Sequence, residues 1–261
     1  MDIIKSNDNP KVKYAVKLKQ NAKFRREEGL FFLEGLRLCL DASRVGICTH
    51  TVFYTSKFKT EYGPELATLL ETTANAYEVG EGVMNKMSDT VTPQGIISLV
   101  KIPEAQSLSA ADGLFVALDK ISDPKNLGAI SRSAEALGVK ALILSSDSCD
   151  PYSPKSLRAS MGALLRLPIF IAPDFVSTLQ SLKNDGMTVY SSVVDNSACD
   201  IRNITTSNKR VLVIGNEANG VSDEVRDITD MLITIPMFGN AESFNASSAA
   251  SILIWEMQRG R

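Results

Sequence analysis

The fold is decided by one stretch of the chain, Val211-Leu-Val-Ile-Gly-Asn-Glu-Ala-Asn-Gly220. Its first four residues form an apolar strand without a polar face, and the strand ends at a loop bracketed by glycines. Strands of this kind are buried on both faces, as in a parallel sheet. Comparable strands are predicted at 114–118, 141–144, 167–171, 188–194 and 231–235. Helices predicted near 126–137, 154–165, 174–182 and 245–258 alternate with them, so we predict an α/β domain with a parallel sheet.

A smaller α/β domain is predicted in front of this sheet. Its helices are expected at 34–42 and 64–72 and its strands at 51–54, 76–79 and 96–100. The intervening segment 101–112 is polar and contains a proline, which is typical of a connection. We therefore place the domains at 1–102 and 113–261.

Three clusters stand at the ends of elements in the second domain. They are Asn126-Leu-Gly-Ala-Ile-Ser-Arg132, the glycine-bracketed loop Gly215–Gly220, and Ile235-Pro-Met-Phe-Gly-Asn-Ala-Glu-Ser-Phe-Asn245. Ligands of open parallel sheets bind beyond the carboxyl ends of the strands. All three clusters fall there, so we expect them to converge on one site.

Each cluster also has a simpler interpretation. Asn126 is a candidate helix cap, and Arg132 reaches back over Gly128 to form an anion site with the free N–H groups of the helix start. The alternative is a surface arginine on an ordinary capped helix. Glu217 lies in what is otherwise a plain surface turn, and Ser243 and Asn245 are otherwise capping residues.

Several classes of protein are disfavoured. The loop 215–220 lacks the Lys-Ser/Thr that a phosphate loop requires, and no G-x-G-x-x-G fingerprint occurs, which argues against an NTPase or a dehydrogenase. His50 is the one histidine, and the cysteines at 39, 48, 149 and 199 are scattered, so we expect free thiols and no metal. The chain has neither a run of about 18 apolar residues nor an apolar leader, so we expect a cytoplasmic protein without a membrane partner.

The net charge of −2 conceals a basic N-terminus. Residues 1–26 carry eight basic side chains against two acidic ones. Phosphate backbones respond to local charge, because salt screens distant charges over about 8–10 Å. This segment is therefore a candidate RNA surface, and a solvated basic helix face is the alternative.

The three clusters resemble the signature motifs of the SpoU (TrmH-type) family of RNA ribose 2′-O-methyltransferases in the SPOUT superfamily. The segment from Asn9-Pro-Lys-Val-Lys to Glu34-Gly-Leu-Arg37 resembles that family's RNA-binding domain, whose fold is shared with certain ribosomal proteins. The stretch from Asp150 to Ala163 resembles its middle segment. The resemblance covers nearly the whole chain and rests on three motifs in order.

The resemblance implies a deep trefoil knot, an exception to the rule that chains avoid knots. It also implies S-adenosylmethionine bound in that knot and a homodimer whose two subunits complete each site. Gly215, Ile235 and Phe244 would hold the cofactor. The catalytic group would comprise Asn126, Arg132, Glu217, Ser243 and Asn245. Phe244 and Ala246 depart mildly from the family's common leucine and valine, which would reshape the pocket slightly.

The expected activity is methyl transfer to a ribose 2′-hydroxyl of structured RNA, ribosomal RNA being favoured over transfer RNA. A guanidinium is always protonated, so we expect Arg132 to clamp a phosphate, and Glu217 to fix its loop, rather than to act as bases. The alternatives are a non-catalytic RNA-binding or ribosome-associated protein on this fold, and a knotted enzyme that methylates a base. The residues expected to bind RNA are Lys11, Lys13, Lys23, Arg25, Arg26, Arg37 and Arg158.

Overall fold

The computed structural model of the chain describes residues 3–104, 108–195 and 197–259. Two units emerge from the contacts between residues. The first unit comprises the described residues up to Glu104 together with Tyr152–Arg158, and the second unit comprises the other described residues. The segment predicted to connect two domains, 101–112, includes residues 105–107, which lie outside the described residues.

The first unit is built on a four-stranded sheet with the order β1-β4-β2-β3. β4 pairs antiparallel with β1 and β2, while β2 and β3 are parallel. Its elements in chain order are α1 Pro10–Gln20, α2 Ala22–Glu28, β1 Leu30–Glu34, α3 Leu36–Arg44, β2 Thr49–Tyr54, α4 Ser56–Glu61, α5 Gly63–Glu71, β3 Asn75–Glu78, α6 Glu81–Met87 and β4 Ile96–Lys101.

Helix α1 begins where the sequence provides both a cap and a proline. The side chain of Asn9 accepts a hydrogen bond from Lys11 N at 2.9 Å, and Pro10 occupies the first turn, where a missing N–H costs nothing. Val12, Ala15 and Leu18 then repeat at helical spacing and are fully buried in the core of the unit. The charged side chains of α1 are left on the opposite faces.

The second unit contains a seven-stranded sheet with the order β7-β6-β5-β10-β8-β11-β9, in which all pairs are parallel. The elements that follow β4 are β5 Gly113–Leu118, α7 Pro124–Ala136, β6 Ala141–Ser145, α8 Pro154–Ser160, α9 Ala163–Arg166, β7 Ile169–Ala172, α10 Phe175–Asn184, β8 Thr188–Ser192, β9 Cys199–Asp200, β10 Lys209–Ile214, α11 Asp223–Ile228, β11 Met231–Thr234 and α12 Ala246–Gln258.

The predicted parallel sheet is confirmed, and the six predicted strands lie within two residues of their expected ends. The predicted helix 154–165 is wrong in one respect, because it consists of α8 and α9. Met161 and Gly162 between them have positive φ angles of 52° and 90°, which end a right-handed helix. Strands β1 and β9 and helix α11 were not predicted.

The order of the central strands positions the site. β10 lies between β5 and β8, and Ile214 at its end is in register with Leu118 at the end of β5. Because the two strands are parallel, the loops that follow Leu118 and Ile214 leave the same edge of the sheet. Helix α12 packs against α7, which brings the start of the third cluster beside the first. Among the described residues, no helix combines the length and apolar character needed to cross a membrane.

Candidate active site

Hydrogen bonds join the three sequence clusters through one buried side chain, that of Asn126. Its Nδ2 donates to Glu217 Oε1 at 2.9 Å, and its Oδ1 accepts from Asn245 Nδ2 at 3.1 Å. Asn126 is only 7% exposed, so both ends of its carboxamide are engaged in a setting where lost hydrogen bonds are costly. The expected convergence of positions 126, 217 and 245 is therefore present in the second unit.

The Glu217 carboxylate is the other hub of this network. Besides Asn126 it accepts from the N–H groups of Ser122 and Asp123, each at 3.2 Å, and from Ser122 Oγ at 3.0 Å. Burial alone would raise the pKa of Glu217, but the hydrogen bonds from the Asn126 side chain and from backbone N–H groups outweigh it and lower the pKa to about 2. Glu217 is thus an anion at neutral pH and a very weak base.

Glycine is required in the loop that carries Glu217. A Cβ on Gly215 would lie 2.1 Å from the carbonyl carbon of Gly220 and 2.2 Å from Val221 N. The loop closes this tightly because Asn216 and Gly220 exchange two backbone hydrogen bonds of 2.9 Å. Asn216 Oδ1 also accepts from Ala218 N at 2.9 Å. The loop is therefore a rigid turn that exposes backbone groups beside Gly215.

Asn245 has both of the roles that the sequence left open. As the cap of α12 its Oδ1 accepts from Ser247 N at 2.9 Å, while its Nδ2 donates to Asn126. Asn126 itself is not a cap, which corrects that expectation: α7 begins at Pro124, and Asp123 caps it by accepting from Lys125 N at 2.9 Å. With its first turn capped by another residue, Asn126 is available for the network.

A cavity of about 370 Å³ lies beside this network. Its wall consists of the loop 215–221, the segment 192–195 after β8, Arg226, and four residues of the third cluster and α12, namely Ser243, Phe244, Ala246 and Ala249. The volume falls within the range of small-molecule sites. Backbone groups, small apolar side chains and both signs of charge line it together.

The residues expected at the site are placed in three ways. Gly215 and Phe244, expected to hold the cofactor, and Glu217 and Ser243, expected in the catalytic group, line the cavity. Ile235 is half-buried just after β11 and is not among the lining residues. Arg132 is exposed on α7, outside the network of Asn126 and outside the cavity wall.

The lining residues 192–195 and Arg226 were not predicted. The first of these follow the carboxyl end of β8, so the rule that ligands bind at strand ends would have found them. The expected strand 188–194 concealed this end, because Val193 and Val194 continue the apolar run beyond Ser192. Arg226 lies in α11, which was not predicted, and carries no sequence signal of its own.

Gly128 serves packing, contrary to the expectation that its bare surface lets Arg132 reach the helix start. A Cβ on Gly128 would lie 2.4 Å from Ala159 Cβ and 2.7 Å from Ser160 N. The space over this glycine is therefore filled by backbone and side chain from the end of α8. An anion site at Gly128 is not supported by this packing.

Five of the residues expected to bind RNA are exposed on the first unit. Two of them have acidic neighbours: Lys13 Nζ is 2.8 Å from Asp8 Oδ1, and Lys23 Nζ is 3.8 Å from Glu27 Oε1. Ion pairs at such exposed positions are weak, so these lysines remain available to phosphate. The exposed set is Lys11, Lys13, Lys23, Arg26 and Arg37.

Arg25 and Arg158 are placed differently from the expectation. Arg25 is 4% exposed, and its Nη1 donates to the carbonyls of Leu18 at 2.6 Å and Lys19 at 3.0 Å, near the end of α1. A guanidinium held there cannot meet a phosphate, so Arg25 is a structural residue and we withdraw it from the RNA surface. Arg158 is half-buried in the first unit, with Nη2 at 3.4 Å from Asp89 Oδ2.

The lining of the cavity suits S-adenosylmethionine. Backbone groups of the loop 215–221 are available to the edge of an adenine, and Val193, Val194 and Phe244 can cover its faces. Asp195 and Arg226 offer one charge of each sign, which matches ribose hydroxyls or an ammonium and a carboxylate. The donor set therefore fits an adenosyl amino acid.

Comparisons with known proteins agree with this geometry. Residues 113–255 match the SpoU rRNA Methylase family, and residues 9–98 match the MRM3-like substrate binding domain. The 23S rRNA (guanosine(2553)-2′-O)-methyltransferase RlmP of Bacillus subtilis is 30% identical over 258 residues, covering 99% of this chain and 100% of that protein.

Solved structures agree as well. The AdoMet-bound rRNA methyltransferase of Sinorhizobium meliloti superposes with a TM-score of 0.89 at 30% identity, covering 99% of this chain and 97% of that one. The SpoU methyltransferase AviRb of Streptomyces viridochromogenes, in complex with AdoMet, gives 0.86 at 27% identity, with 96% and 97% covered. The expected fold class, enzyme class and cofactor are thereby confirmed. The chain belongs to the SpoU rRNA methylase family and is an RNA 2′-O-ribose methyltransferase that uses S-adenosylmethionine.

Proposed function

We propose that this enzyme methylates a ribose 2′-hydroxyl of structured ribosomal RNA, with the Glu217–Asn126–Asn245 network as the frame of its active site. The observation that carries the proposal is the direct hydrogen bonding of these three residues beside the cavity. Ribosomal RNA is favoured over transfer RNA because the Bacillus subtilis relative, aligned over its full length, is named for 23S rRNA.

The chain's own residues hold and orient the reactants. The anionic Glu217 fixes the Asn126 carboxamide, and Asn126 in turn holds Asn245 at the start of α12. Gly215 and Phe244 hold the cofactor, with Ile235 supporting the segment that leads to Phe244. When bound, S-adenosylmethionine supplies an electrophilic methyl group for the ribose 2′-oxygen. Ser243, which lines the cavity, hydrogen-bonds the nucleotide or the amino-acid part of the cofactor.

Arg132 clamps the phosphate beside the target ribose and stabilises the developing negative charge on the 2′-oxygen. It is not the base, because a guanidinium keeps its proton at any working pH. Glu217 is not the base either, because its pKa of about 2 leaves it little affinity for a proton. The 2′-hydroxyl proton therefore passes to water or to an RNA phosphate.

The RNA is gripped by the first unit, which we propose as the substrate-recognition domain within residues 1–102, before a catalytic domain at 113–261. The exposed basic residues Lys11, Lys13, Lys23, Arg26 and Arg37 contact the RNA backbone. Such contacts position an RNA without reading its sequence. Arg158 joins them only if its pairing with Asp89 is exchanged for a phosphate.

A homodimer, a cytoplasmic location and the trefoil knot complete the proposal. Helix α12 exposes two large apolar side chains, Trp255 at 60% and Ile252 at 38%, and Phe244 in the third cluster is 43% exposed. Exposed apolar side chains of this size are typical of interaction surfaces. Sedimentation of the wild-type protein and of Trp255→Glu tests this: a dimer that becomes a monomer is expected, and a wild-type monomer contradicts it.

The proposed activity is tested with ribosomal RNA transcribed in vitro and tritiated S-adenosylmethionine. Incorporation of label together with resistance to alkaline cleavage at one bond is expected, because a 2′-O-methyl group removes the attacking hydroxyl. Label without resistance would show base methylation. Cofactor binding without label on ribosomal or transfer RNA would indicate a non-catalytic RNA-binding protein.

A further inference from the structure

A second concave surface, in the first unit, has a chemistry that phosphate binding alone does not explain. It is a cavity of about 370 Å³, which we term the aromatic pocket. The pocket is lined by Pro10, Lys11, Tyr14, His50, Thr51, Phe53, Asn75, Tyr77 and Leu99. Three of these residues have aromatic hydrocarbon rings and a fourth, the one histidine of the chain, has an imidazole.

We propose that the aromatic pocket binds one unstacked nucleobase of the RNA substrate. The inference rests on the proposed function, since it names the part of the RNA that the first unit recognises. Sequence-specific RNA recognition targets unpaired bases, which stack on aromatic side chains and pair through their edges. The pocket supplies both kinds of contact.

The stacking surface is the ring of Tyr77 in β3. It packs against the buried Phe53 of β2 with ring centroids 5.7 Å apart and planes tilted by 36°. Phe53 is 1% exposed, so it fixes the tyrosine from behind while Tyr77 itself remains half-buried. Tyr14 is also held in place, because its hydroxyl donates to Glu28 Oε2 at 2.7 Å. Rigid rings lose little entropy when a base stacks on them.

Hydrogen-bonding groups lie between these rings. Asn75 is oriented by a hydrogen bond from its Nδ2 to the carbonyl of His50 at 3.3 Å. His50 is oriented in turn by Nδ1, which is 2.8 Å from Thr51 Oγ1. A carboxamide and an imidazole present donors and acceptors of the kind that pair with base edges. Two adjacent strands therefore carry an oriented polar edge within an apolar wall.

The charge around the pocket favours a nucleotide over an uncharged ligand. Lys11 lies with Nζ 4.6 Å from the centroid of the Tyr77 ring, and its exposed stem lets it shift to the phosphate of a stacked nucleotide. Among the described residues that form the wall, Lys11 is the one ion. Other turns of α1 carry Lys13 and Lys17, which line a separate groove of about 470 Å³ with Lys86. Phosphates on either side of the base would thus meet cations.

The kinetic test compares Tyr77→Leu and Tyr77→Phe with Tyr62→Leu, in the full chain. Tyr62 is a matched control, because it is also half-buried and packs on a buried phenylalanine, Phe58, with ring centroids 5.1 Å apart, but lies outside the pocket. Loss of one stacked base costs roughly 1–3 kcal/mol, so Tyr77→Leu should raise KM for the ribosomal transcript about tenfold or more. Its kcat and its affinity for S-adenosylmethionine should stay as in the wild type. Tyr77→Phe should retain the wild-type KM.

A competition experiment isolates the base from the backbone. A uridylate decamer and an abasic decamer of equal charge each compete with the transcript. The uridylate decamer should compete better against the wild type, and the two should compete equally against Tyr77→Leu. Equal competition against the wild type would overturn the proposal, as would an unchanged KM for Tyr77→Leu.

Other outcomes separate this inference from its neighbours. If Tyr62→Leu raises KM as much as Tyr77→Leu, the effect is one of stability and the pocket is not a base site. A defect seen with assembled ribosomal subunits and absent with free RNA would show that the pocket takes a protein side chain, which also overturns the proposal. If the wild type transfers no methyl group to any ribosomal RNA, the proposed function itself has failed.

Discussion

Asn126 and Glu217 lie 91 positions apart in the chain and share a hydrogen bond of 2.9 Å. The bond couples the first turn of α7 to the loop after β10, and it uses a donor that is nearly inaccessible to solvent. A carboxylate that accepts this many hydrogen bonds is held in one position as well as in one charge state. The predictions that follow depend on this frame and on the buried or exposed state of particular side chains.

Glu217→Gln should lower kcat about 100-fold, because an amide cannot accept from all the donors and the displaced loop misplaces the reactants by about 1 Å. Methyl transfer to the ribosomal transcript measures the change. The matched control is Glu224→Gln, an exposed carboxylate in α11, which should leave kcat unaltered. Near-normal turnover in Glu217→Gln would show that the network is only decorative.

The pH dependence of stability should identify the charge on Glu217. Its pKa is lowered in the folded protein to about 2, so its stabilising contribution is complete above the unfolded pKa of about 4.3 and is lost as the pH falls towards 2. The difference in Tm between the wild type and Glu217→Gln should therefore be constant from about pH 8 to pH 5 and shrink below that range. A difference that titrates near pH 7 would instead mark Glu217 as a candidate base.

Gly215→Ala should abolish or severely weaken binding of S-adenosylmethionine. The added Cβ would meet the backbone of Gly220 and Val221 at 2.1–2.2 Å, so the loop that lines the cavity must open. Titration calorimetry should show Kd raised at least tenfold. Gly82→Ala is the control, since a Cβ there meets no atom within 4 Å and the residue lies in α6 of the first unit.

Two adjacent arginines should give opposite results. Arg25→Ala leaves two carbonyls of α1 without their charged donor and should lower the free energy of unfolding by roughly 2–3 kcal/mol, measured by urea denaturation. Arg26→Ala removes an exposed charge and should leave stability nearly unchanged while weakening RNA binding and reducing its salt dependence. Unfolding of Arg26→Ala, or weaker RNA binding by a fully stable Arg25→Ala, would reverse these assignments.

Arg132→Lys should lower kcat about 100-fold with no change in Kd for S-adenosylmethionine, because an ammonium cannot replace a planar, bidentate donor. Lys125→Ala on the same helix is the comparison, being exposed and one residue before Asn126. Full turnover and unchanged RNA affinity in Arg132→Lys would exclude a bidentate clamp.

The sequence was sufficient to predict the parallel sheet, because continuous apolar strands followed by helices have few other solutions. It also predicted that positions 126, 217 and 245 meet, since all three follow strand ends. Arg25 could not be distinguished from its neighbours in this way. It is buried because Asn21 ends α1 and caps α2, accepting from Phe24 N at 2.9 Å, and this turn directs one of several similar cations inwards.

The break between α8 and α9 was missed for a related reason. The stretch 154–165 has helical spacing throughout, and the left-handed backbone at Met161 is imposed by packing and carries no signal in the side chain. The aromatic pocket likewise draws on α1, β2, β3 and β4, whose juxtaposition depends on sheet order. Contacts set by tertiary packing are the ones that periodicity cannot supply.

The position of β10 between β5 and β8 has a consequence for biosynthesis. A nascent chain that has not yet emerged beyond Lys209 possesses both neighbours of the missing strand but nothing to join them. The loop of Glu217 and the start of α12 leave the ribosome later still. Interrupted translation therefore yields an inert fragment that cannot bind the methyl donor, and modification of RNA begins only after the last helix has been synthesised.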